Sequence, residues 1–287
     1  MTRLIRAELF KLRKRAMTRI LLFVLMGVLV IMYLILLAIS NVSLPAGPGG
    51  QGPTNIQNVL GLPVAVPFAF SVLASLGTVL AVILTANSMG SEYNWRTIRM
   101  TVTASESRSK LLGAKLISAM IVILLGMVIG VATGFVMSVI TTAIGGYTFD
   151  FSFATGSYIW NQFLQFWRTF YVMLPYVLLG FLLSIVGRSA MPGIALGIAV
   201  LFFEPIITGF MRLAGGWIAE IPDFLLGRNV NAVTALADLP RGLRGGFGFG
   251  AFGDTPSVVH ATIVLAIYSV AFIVISFYMF RKRDVAG

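Results

Sequence analysis

The fold class is decided by residues 20–39, ILLFVLMGVLVIMYLILLAI, in which fifteen side chains are Leu, Ile, Val or Phe and none is charged. An α-helix rises about 1.5 Å per residue, so about 20 residues cross the roughly 30 Å hydrocarbon core of a bilayer. At about −0.3 to −0.6 kcal/mol each, these side chains favour membrane insertion by about 4.5–9 kcal/mol. No A-x-A cleavage site follows the stretch, so we expect an uncleaved membrane-spanning helix.

The rest of the chain carries five further apolar stretches. Of the 287 residues, 58% are hydrophobic and only 11% are charged, and the mean hydropathy is +0.94. A soluble domain carries about 25% charged residues, so this chain has too little polar surface to cover a water-soluble globule. We expect an all-α membrane protein that forms a single transmembrane domain over residues 1–287. The six predicted spans are residues 20–40, 64–89, 116–144, 170–186, 192–211 and 258–280.

Positive charges are distributed unevenly between the segments that join these spans. The net charge is +11, from 21 Lys and Arg against 10 Asp and Glu. With both termini in the cytoplasm, sixteen of the 21 basic residues lie on the cytoplasmic side, as the positive-inside rule requires. We therefore expect a multi-pass protein with both termini in the cytoplasm, and we assign it to a prokaryotic plasma or inner membrane. The charge adjoins the spans and forms no separate basic domain, which argues against nucleic acid as a partner.

Residues 1–19 have the pattern of an amphipathic surface helix, with apolar side chains on one stripe and basic side chains opposite. The stripe comprises Ile5, Leu9, Leu12 and Ala16, and the basic face comprises Arg3, Arg6, Arg13 and Lys14. Such a helix lies among lipid headgroups before the chain turns into the first span. The alternative is a charge cluster that only orients the chain and forms no helix.

The predicted cytoplasmic loop at residues 90–115 carries a second short amphipathic pattern. Its apolar positions, at i, i+3 and i+7, are Trp95, Ile98 and Val102, and the arginines beside them are Arg96 and Arg99. This face suits docking into a groove on another protein, and it equally suits lying flat on the membrane. The pair Thr103 and Glu106 fits a capping box, which predicts that the helix leading into the third span begins there.

The two predicted outer connectors differ in character. Residues 41–63 contain several prolines and glycines and no charge, which is typical of an irregular connector. In the outer segment, residues 212–257, we expect short interfacial helices at 217–226 and 230–239 and a flexible glycine-rich stretch at 242–253.

Common catalytic and metal-binding patterns are absent from the sequence. With no cysteine and one histidine, the chain cannot form disulfides, iron–sulfur clusters or Cys/His zinc sites. It also lacks a Gly-x-x-x-x-Gly-Lys-[Ser/Thr] phosphate loop, an H-E-x-x-H zinc motif and a Gly-x-Ser-x-Gly nucleophile elbow. The lone His260 lies at the predicted outer end of the last span, where we expect an interfacial role. We expect no catalytic residue, no metal site and no cofactor bound by this chain.

The fifth predicted span holds the one acidic residue that lies well inside a span. Glu204 is followed by Pro205, which removes a helical N–H and leaves the Leu201 carbonyl without its usual partner. A charge in the membrane is costly, so such a residue faces the bundle interior or a wet cavity. One interpretation gives the pair a role in gating or in the substrate pathway. The other is a neutral, hydrogen-bonded glutamate with a structural role.

Glycines recur every four residues in two of the predicted spans. They are Gly126, Gly130 and Gly134 in the third span, and Gly193 and Gly197 in the fifth. Small residues at this spacing let helices approach closely. We expect packing within the chain, with a subunit interface as the second interpretation.

The run GSEYNWRTIRMTVTASESRSKLLGAKL, residues 90–116, resembles a loop of the permease subunits in the type-2 ABC exporter family. In that family the loop has a Gly-x-Glu start, a Thr-x-Arg step, and then Arg, paired leucines and Lys. The matching positions here are Gly90, Glu92, Thr97, Arg99, Arg108, Leu111, Leu112 and Lys115. Before the threonine, where the family commonly has glycine, this chain has Arg96. The basic N-terminal helix, the six spans and the Glu204-Pro205 pair resemble that family as well.

The resemblance implies that two such permease subunits, identical or different, face each other and that each docks on a separate cytoplasmic ABC ATPase. The loop would be the coupling helix in the ATPase groove, and ATP and Mg would be bound by that partner. Its coupling residues would be Glu92, Tyr93, Trp95, Arg96, Thr97, Ile98, Arg99 and Arg108. The outer segment would cap the exit. The implied function is ATP-driven export of an apolar or amphipathic substrate such as a drug, a lipid or a peptide-like molecule.

Two other classes of function compete with this one. An autonomous secondary carrier or channel predicts paired charges within the membrane or an internal repeat, and the sequence has one such glutamate and no repeat. A membrane-embedded enzyme needs a clustered acid–base set, which the sequence lacks.

Overall fold

The described part of the chain is helical apart from one short pair of strands. The computed structural model describes residues 1–40, 43–44, 54–55, 62–94, 107–145, 152–237 and 256–282. Within these ranges, six helices are long and apolar enough to cross a membrane. The predicted all-α class with six helices of spanning length is confirmed.

Nine α-helices, a π-helical turn, a 3₁₀ helix and two strands follow one another along the described parts of the chain. They are α1 (Thr2–Lys14), α2 (Ala16–Ala38), β1 (Ser43–Leu44), β2 (Thr54–Asn55), α3 (Leu62–Val72), a π-helical turn (Leu73–Gly77), α4 (Thr78–Asn94), α5 (Arg108–Ile144), α6 (Gly156–Val186), α7 (Ala190–Ala214), a 3₁₀ helix (Gly216–Phe224), α8 (Leu226–Thr234) and α9 (Val258–Lys282). Strands β1 and β2 pair antiparallel, with Ser43 opposite Asn55. Helix α3, the π-helical turn and α4 together form the second candidate span, Val64–Tyr93.

Several helices extend beyond the apolar stretches that predict them. Helix α5 has 37 residues and is therefore about 55 Å long. Its N-cap is Ser107, whose hydroxyl accepts the Lys110 N–H. The helix therefore begins at Arg108, and the prediction that it begins at Thr103 is wrong. Likewise, Thr155 caps α6 well before the apolar stretch at residues 170–186. An apolar window marks only the part of a helix that lies in hydrocarbon, whereas the helix itself continues to its cap.

Helices α4 and α6 form the centre of the bundle. In the most apolar window of each candidate span, 61% of the second span and 67% of the fourth are buried, against 17% of the first and the fifth. Val82 on α4 and Phe181 on α6 have no exposed surface. By contrast, α2 and α7 expose large apolar side chains such as Phe23 and Phe203. An apolar outer surface of this kind is suited to lipid rather than to water.

Two of the predicted glycines let α7 approach α4 and α6. A Cβ added to Gly193 would lie 2.0 Å from the Ser184 hydroxyl and 2.4 Å from the Gly180 carbonyl oxygen. A Cβ added to Gly197 would lie 2.7 Å from Val82. Gly180 on α6, which neither predicted glycine series includes, lies against Val82 of α4 and Gly193 of α7. The close packing of these three helices therefore requires glycine on both α6 and α7.

The three glycines of α5 do not behave alike. A Cβ at Gly130 would lie 2.8 Å from Leu73, and one at Gly134 would lie 2.6 Å from Ala69, so both glycines pack against the second span. A Cβ at Gly126 would meet nothing within 4 Å. Of the three, Gly130 and Gly134 therefore serve helix packing within the chain.

Helix α1 packs on α5 and turns into α2 through Arg15, whose backbone is extended (φ −66°, ψ 129°). Leu12 is only 3% exposed, and Ile5 and Leu9 are half-buried, so the predicted stripe faces the bundle. Ala16 lies beyond the turn and begins α2. The basic face is exposed and comprises Arg3, Arg6, Arg13 and Lys14.

The segment after α7 folds back on the bundle. Its first part is a 3₁₀ helix and its second is α8, in place of the short helices predicted at 217–226 and 230–239. Leu226 and Val233 of α8 belong to the same apolar core as Val172 and Leu265. Residues 238–255, with the predicted glycine-rich stretch, lie outside the described ranges, as does most of the 41–63 connector.

Candidate functional site

Three elements that are distant in sequence meet at a group of four charged side chains, which we call the ion cluster: Glu8 and Lys11 of α1, Glu92 of α4 and Lys115 of α5. The Lys115 ammonium lies 2.5 Å from Glu92 Oε1 and 3.0 Å from Glu8 Oε2. Lys11 Nζ lies 2.8 Å from Glu8 Oε1 and 3.4 Å from Glu92 Oε1. Two cations therefore bridge two carboxylates, and the cluster joins α1 to the last turn of α4 and to the N-terminal part of α5.

The cluster is charge-balanced and mostly buried. Lys115 and Glu92 are each 2% exposed and Glu8 is 7% exposed. Burying a charge is costly unless it is paired, because it loses its hydration. Burial raises the pKa of Glu8, but the ammonium groups of Lys115 and Lys11 outweigh this effect and hold that pKa below its ordinary value. Burial lowers the pKa of Lys11, and the carboxylates of Glu8 and Glu92 outweigh it and raise that pKa.

Neighbouring contacts tie the same elements together. Arg15 donates a hydrogen bond of 2.8 Å to the Ser91 hydroxyl, next to Glu92. Ser118 of α5 donates one of 3.3 Å to the Ile5 carbonyl of α1. These bonds hold both ends of α1 in place beside the cluster.

Gly90 brings the start of α7 to the same end of α4. A Cβ there would lie 2.1 Å from the Ala190 backbone nitrogen, so only glycine allows this contact. Leu111 and Leu112 of α5 are also fully buried, with exposures of 1% and 0%. Five of the residues that carry the family resemblance thus lie in the interior of this chain: Gly90, Glu92, Leu111, Leu112 and Lys115.

The structure places the predicted coupling residues in two groups. Glu92, Tyr93 and Arg108 lie in the described ranges. The predicted capping box, Thr103 and Glu106, lies outside these ranges. So do the other coupling residues, which are Trp95, Arg96, Thr97, Ile98 and Arg99. Glu92 is buried in the ion cluster, so its carboxylate binds within the chain and has no surface to offer a partner.

Glu8 and Lys11 are not among the functional residues that the sequence predicts. One signal was available, because Glu8 is the single acidic residue among seven basic ones in residues 1–19. An isolated acid at a buried position of an otherwise basic helix indicates a cation on the surface that the helix covers.

A second polar site lies at the other end of the bundle, around Glu204. This side chain is 7% exposed. Its Oε1 accepts the backbone N–H of Gly227 at the start of α8, and its Oε2 accepts the Tyr176 hydroxyl at 3.4 Å. The N-terminus of a helix favours a carboxylate because its first N–H groups lack partners within the helix. Pro205 lies inside a continuous α7. These hydrogen bonds join α6, α7 and α8.

Asp223 holds the folded-back segment from the other side. Its carboxylate lies 3.4 Å from Arg212 and 3.3 Å from Arg228. Its carbonyl oxygen accepts a 2.9 Å hydrogen bond from the Asn229 amide and lies 3.1 Å from Nε2 of His260. The lone histidine thus contacts the backbone at this end of the bundle. Among the described residues, no group of three or more His, Asp or Glu side chains could hold a metal ion.

Fold and sites together define a multi-pass, all-helical membrane protein whose N-terminal helix is held to the bundle by buried charges. Residues 53–286 match the family described as "Protein of unknown function (DUF2705)", and the chain belongs to that family. It is similar to the "Uncharacterized protein YhcI" of Bacillus subtilis (strain 168), with 24% identity over 228 residues. That alignment covers 76% of this chain and 66% of the relative, so the chain spans slightly less than two thirds of the relative's length.

Proposed function

We propose that this protein is the permease subunit of an ATP-binding cassette exporter. In this proposal it moves an apolar or amphipathic substrate outward across a prokaryotic cell membrane. A separate cytoplasmic ATPase binds and hydrolyses ATP with Mg, and two permease subunits form the pathway. The resemblance of residues 90–116 to the exporter loop supports the proposal, as do the six helices of spanning length.

The ion cluster is the observation that carries this proposal. A loop that receives force from a partner moves the membrane helices only if its base is firmly attached to them. Trp95 follows Glu92 by three residues, and the loop returns to the bundle at α5, whose Lys115 pairs with Glu92. The cluster attaches α1 to both ends of the loop. A push on the loop would therefore act on α1, α4 and α5 together.

The proposal gives the Glu204 site a role at the exit. A transporter needs two states that differ in their contacts, since a signal can shift an equilibrium only through such differences. Glu204 connects α7 to α8 and α6 through two hydrogen bonds. Breaking and remaking these bonds would let the outer segment open and close, with Pro205 allowing α7 to bend. Because glutamine keeps one acceptor oxygen, Glu204→Gln is expected to assemble normally and to transport less.

Association with an ATPase tests the proposal. The tagged protein, purified in mild detergent from its native membranes, is expected to carry vanadate-sensitive ATP hydrolysis. The double variant Trp95→Ala with Ile98→Ala should lose that activity and remain inserted, because the apolar docking face is gone. The matched control is Leu213→Ala with Trp217→Ala, which removes an exposed aliphatic and an exposed tryptophan at the other end of the bundle. This control should retain the activity.

Two results would contradict the proposal. One is equal ATP hydrolysis in the loop variant and in the control. The other is transport by the purified chain alone in liposomes that contain no ATPase.

A further inference from the structure

A lateral groove of about 410 Å³ lies where α1 and α2 meet α4 and α5. Its lining is almost entirely apolar, and it includes Leu25, Leu80, Leu84 and Met127. Exposed Leu125 lies at its rim. Along α5 the lining runs from Ile121 to Ile129, which corresponds to about 12 Å of helix. The groove therefore runs along α5, and exposed Leu125 in its lining places an opening on the outer surface of the bundle.

The polar groups of the groove lie at one end, where α1 turns into α2. They are Arg13, Thr18 and Arg19, and the two arginines are the only charged residues that line the groove. Both arginines are exposed, and within the described ranges neither forms a salt bridge. The Arg19 guanidinium contacts the Lys14 carbonyl at 3.4 Å. An apolar slot with two cations at its mouth complements a molecule with an anionic head and a hydrocarbon tail.

Gly126 leaves open space in the wall of the groove. It lines the groove, and a side chain added there would meet nothing within 4 Å. The space beside Gly130 and Gly134 on the same helix is filled by Leu73 and Ala69, respectively. Helix packing therefore explains these two glycines but does not explain Gly126. The space that it leaves lies among apolar side chains, where hydrocarbon is the fitting occupant.

We propose that this groove binds one anionic phospholipid of the surrounding membrane. One acyl chain lies along Gly126 between α2, α4 and α5, and the phosphate lies against Arg13 and Arg19. Basic residues at the membrane surface attract anionic lipid. The site goes beyond the transport proposal and does not depend on it, because it requires neither an ATPase nor a second permease subunit.

Lipid retention measured by native mass spectrometry tests the site. The protein is taken from nanodiscs that contain phosphatidylcholine with a minor fraction of phosphatidylglycerol. We expect the wild type to retain phosphatidylglycerol preferentially. Gly126→Leu should lose this lipid because its side chain fills the slot. The matched control is Gly27→Leu, a second open glycine in the bundle that does not line the groove. That control should bind as the wild type does.

The headgroup contact is tested separately by Arg13→Gln with Arg19→Gln. The preference for phosphatidylglycerol should fall about fivefold for each arginine removed. Its control, Arg3→Gln with Arg6→Gln, removes two exposed arginines of α1 that do not line the groove and should keep the preference. Equal retention of both lipids by the wild type would overturn the proposal. So would equal phosphatidylglycerol retention in Gly126→Leu and Gly27→Leu.

Discussion

Lys115 is the residue on which the ion cluster depends most. Its ammonium pairs with both carboxylates of the cluster, and the residue is only 2% exposed. A buried ion pair contributes little net stability compared with well-packed apolar side chains, yet removing one partner alone is expensive. The cluster therefore has a greater effect on where α1 lies than on the total stability of the bundle.

Replacing Lys115 with methionine tests this statement. Lys115→Met removes the buried cation that pairs with both Glu8 and Glu92, and we expect a loss of about 3–5 kcal/mol of unfolding free energy. Tryptophan fluorescence during thermal unfolding in detergent measures it. The control Lys110→Met changes an exposed residue of the same helix and should lie within about 0.5 kcal/mol of the wild type. Adding Glu8→Gln and Glu92→Gln to Lys115→Met should restore part of the loss. Equal melting temperatures for the two lysine variants would contradict the prediction.

At the scale of the elements, the shape of the bundle depends on how closely α4, α6 and α7 approach one another. Gly180 and Gly193 lie at a close contact between α6 and α7. In a membrane, apolar side chains gain nothing by leaving lipid, so close van der Waals packing has to hold helices together. Glycine provides that packing by removing the side chain that would keep the backbones apart.

A pair of alanine substitutions separates packing from helix propensity. Gly193→Ala places a methyl group 2.0 Å from Ser184, and we expect a loss of about 1–3 kcal/mol through overpacking. Gly126→Ala meets open space, and alanine favours the helix by up to about 1 kcal/mol over glycine. Thermal unfolding of the two variants in the same detergent gives the comparison. If Gly193→Ala were as stable as Gly126→Ala, the close contact between α6 and α7 would not exist.

At the scale of the whole molecule, the two ends of the bundle differ in charge. The ion cluster and the exposed basic face of α1 lie at one end. The segment that contains Asp223 folds back at the other end, where its Gly227 N–H bonds Glu204 of α7. The positive-inside rule predicts that the first of these ends lies in the cytoplasm. In this orientation both ends of the 90–115 loop, at Gly90 and Lys115, lie on the cytoplasmic side.

Single cysteines test this orientation, because the chain has none of its own. Phe10 on α1 is 63% exposed and Trp217 in the folded-back segment is 74% exposed, so either position accepts a label. In intact cells, a membrane-impermeant maleimide should label Trp217→Cys and leave Phe10→Cys unlabelled. Permeabilised cells provide the control, in which both variants should react. Labelling of Phe10→Cys in intact cells would reverse the predicted orientation.

The helical class and the approximate positions of the six spans follow from the sequence by itself, because insertion into lipid depends on the summed hydrophobicity of about 20 consecutive residues. The true ends of the helices do not, since a cap such as Ser107 works through one local hydrogen bond outside the apolar window. The glycine spacing predicted close packing, but it could not distinguish Gly126, which faces open space, from Gly130.

The pairing within the ion cluster was decided only by the tertiary structure. Glu8 and Lys115 are 107 residues apart, and each alone is an ordinary charged residue next to a span. Likewise, the sequence marks Glu204 as an unusual residue in a span, while its partners Gly227 and Tyr176 come from two other helices. Hydrophobicity is a property of a segment and can be summed along the chain. An ion pair or a hydrogen bond depends on distances of about 3 Å between atoms, and only the packing of the helices sets those distances.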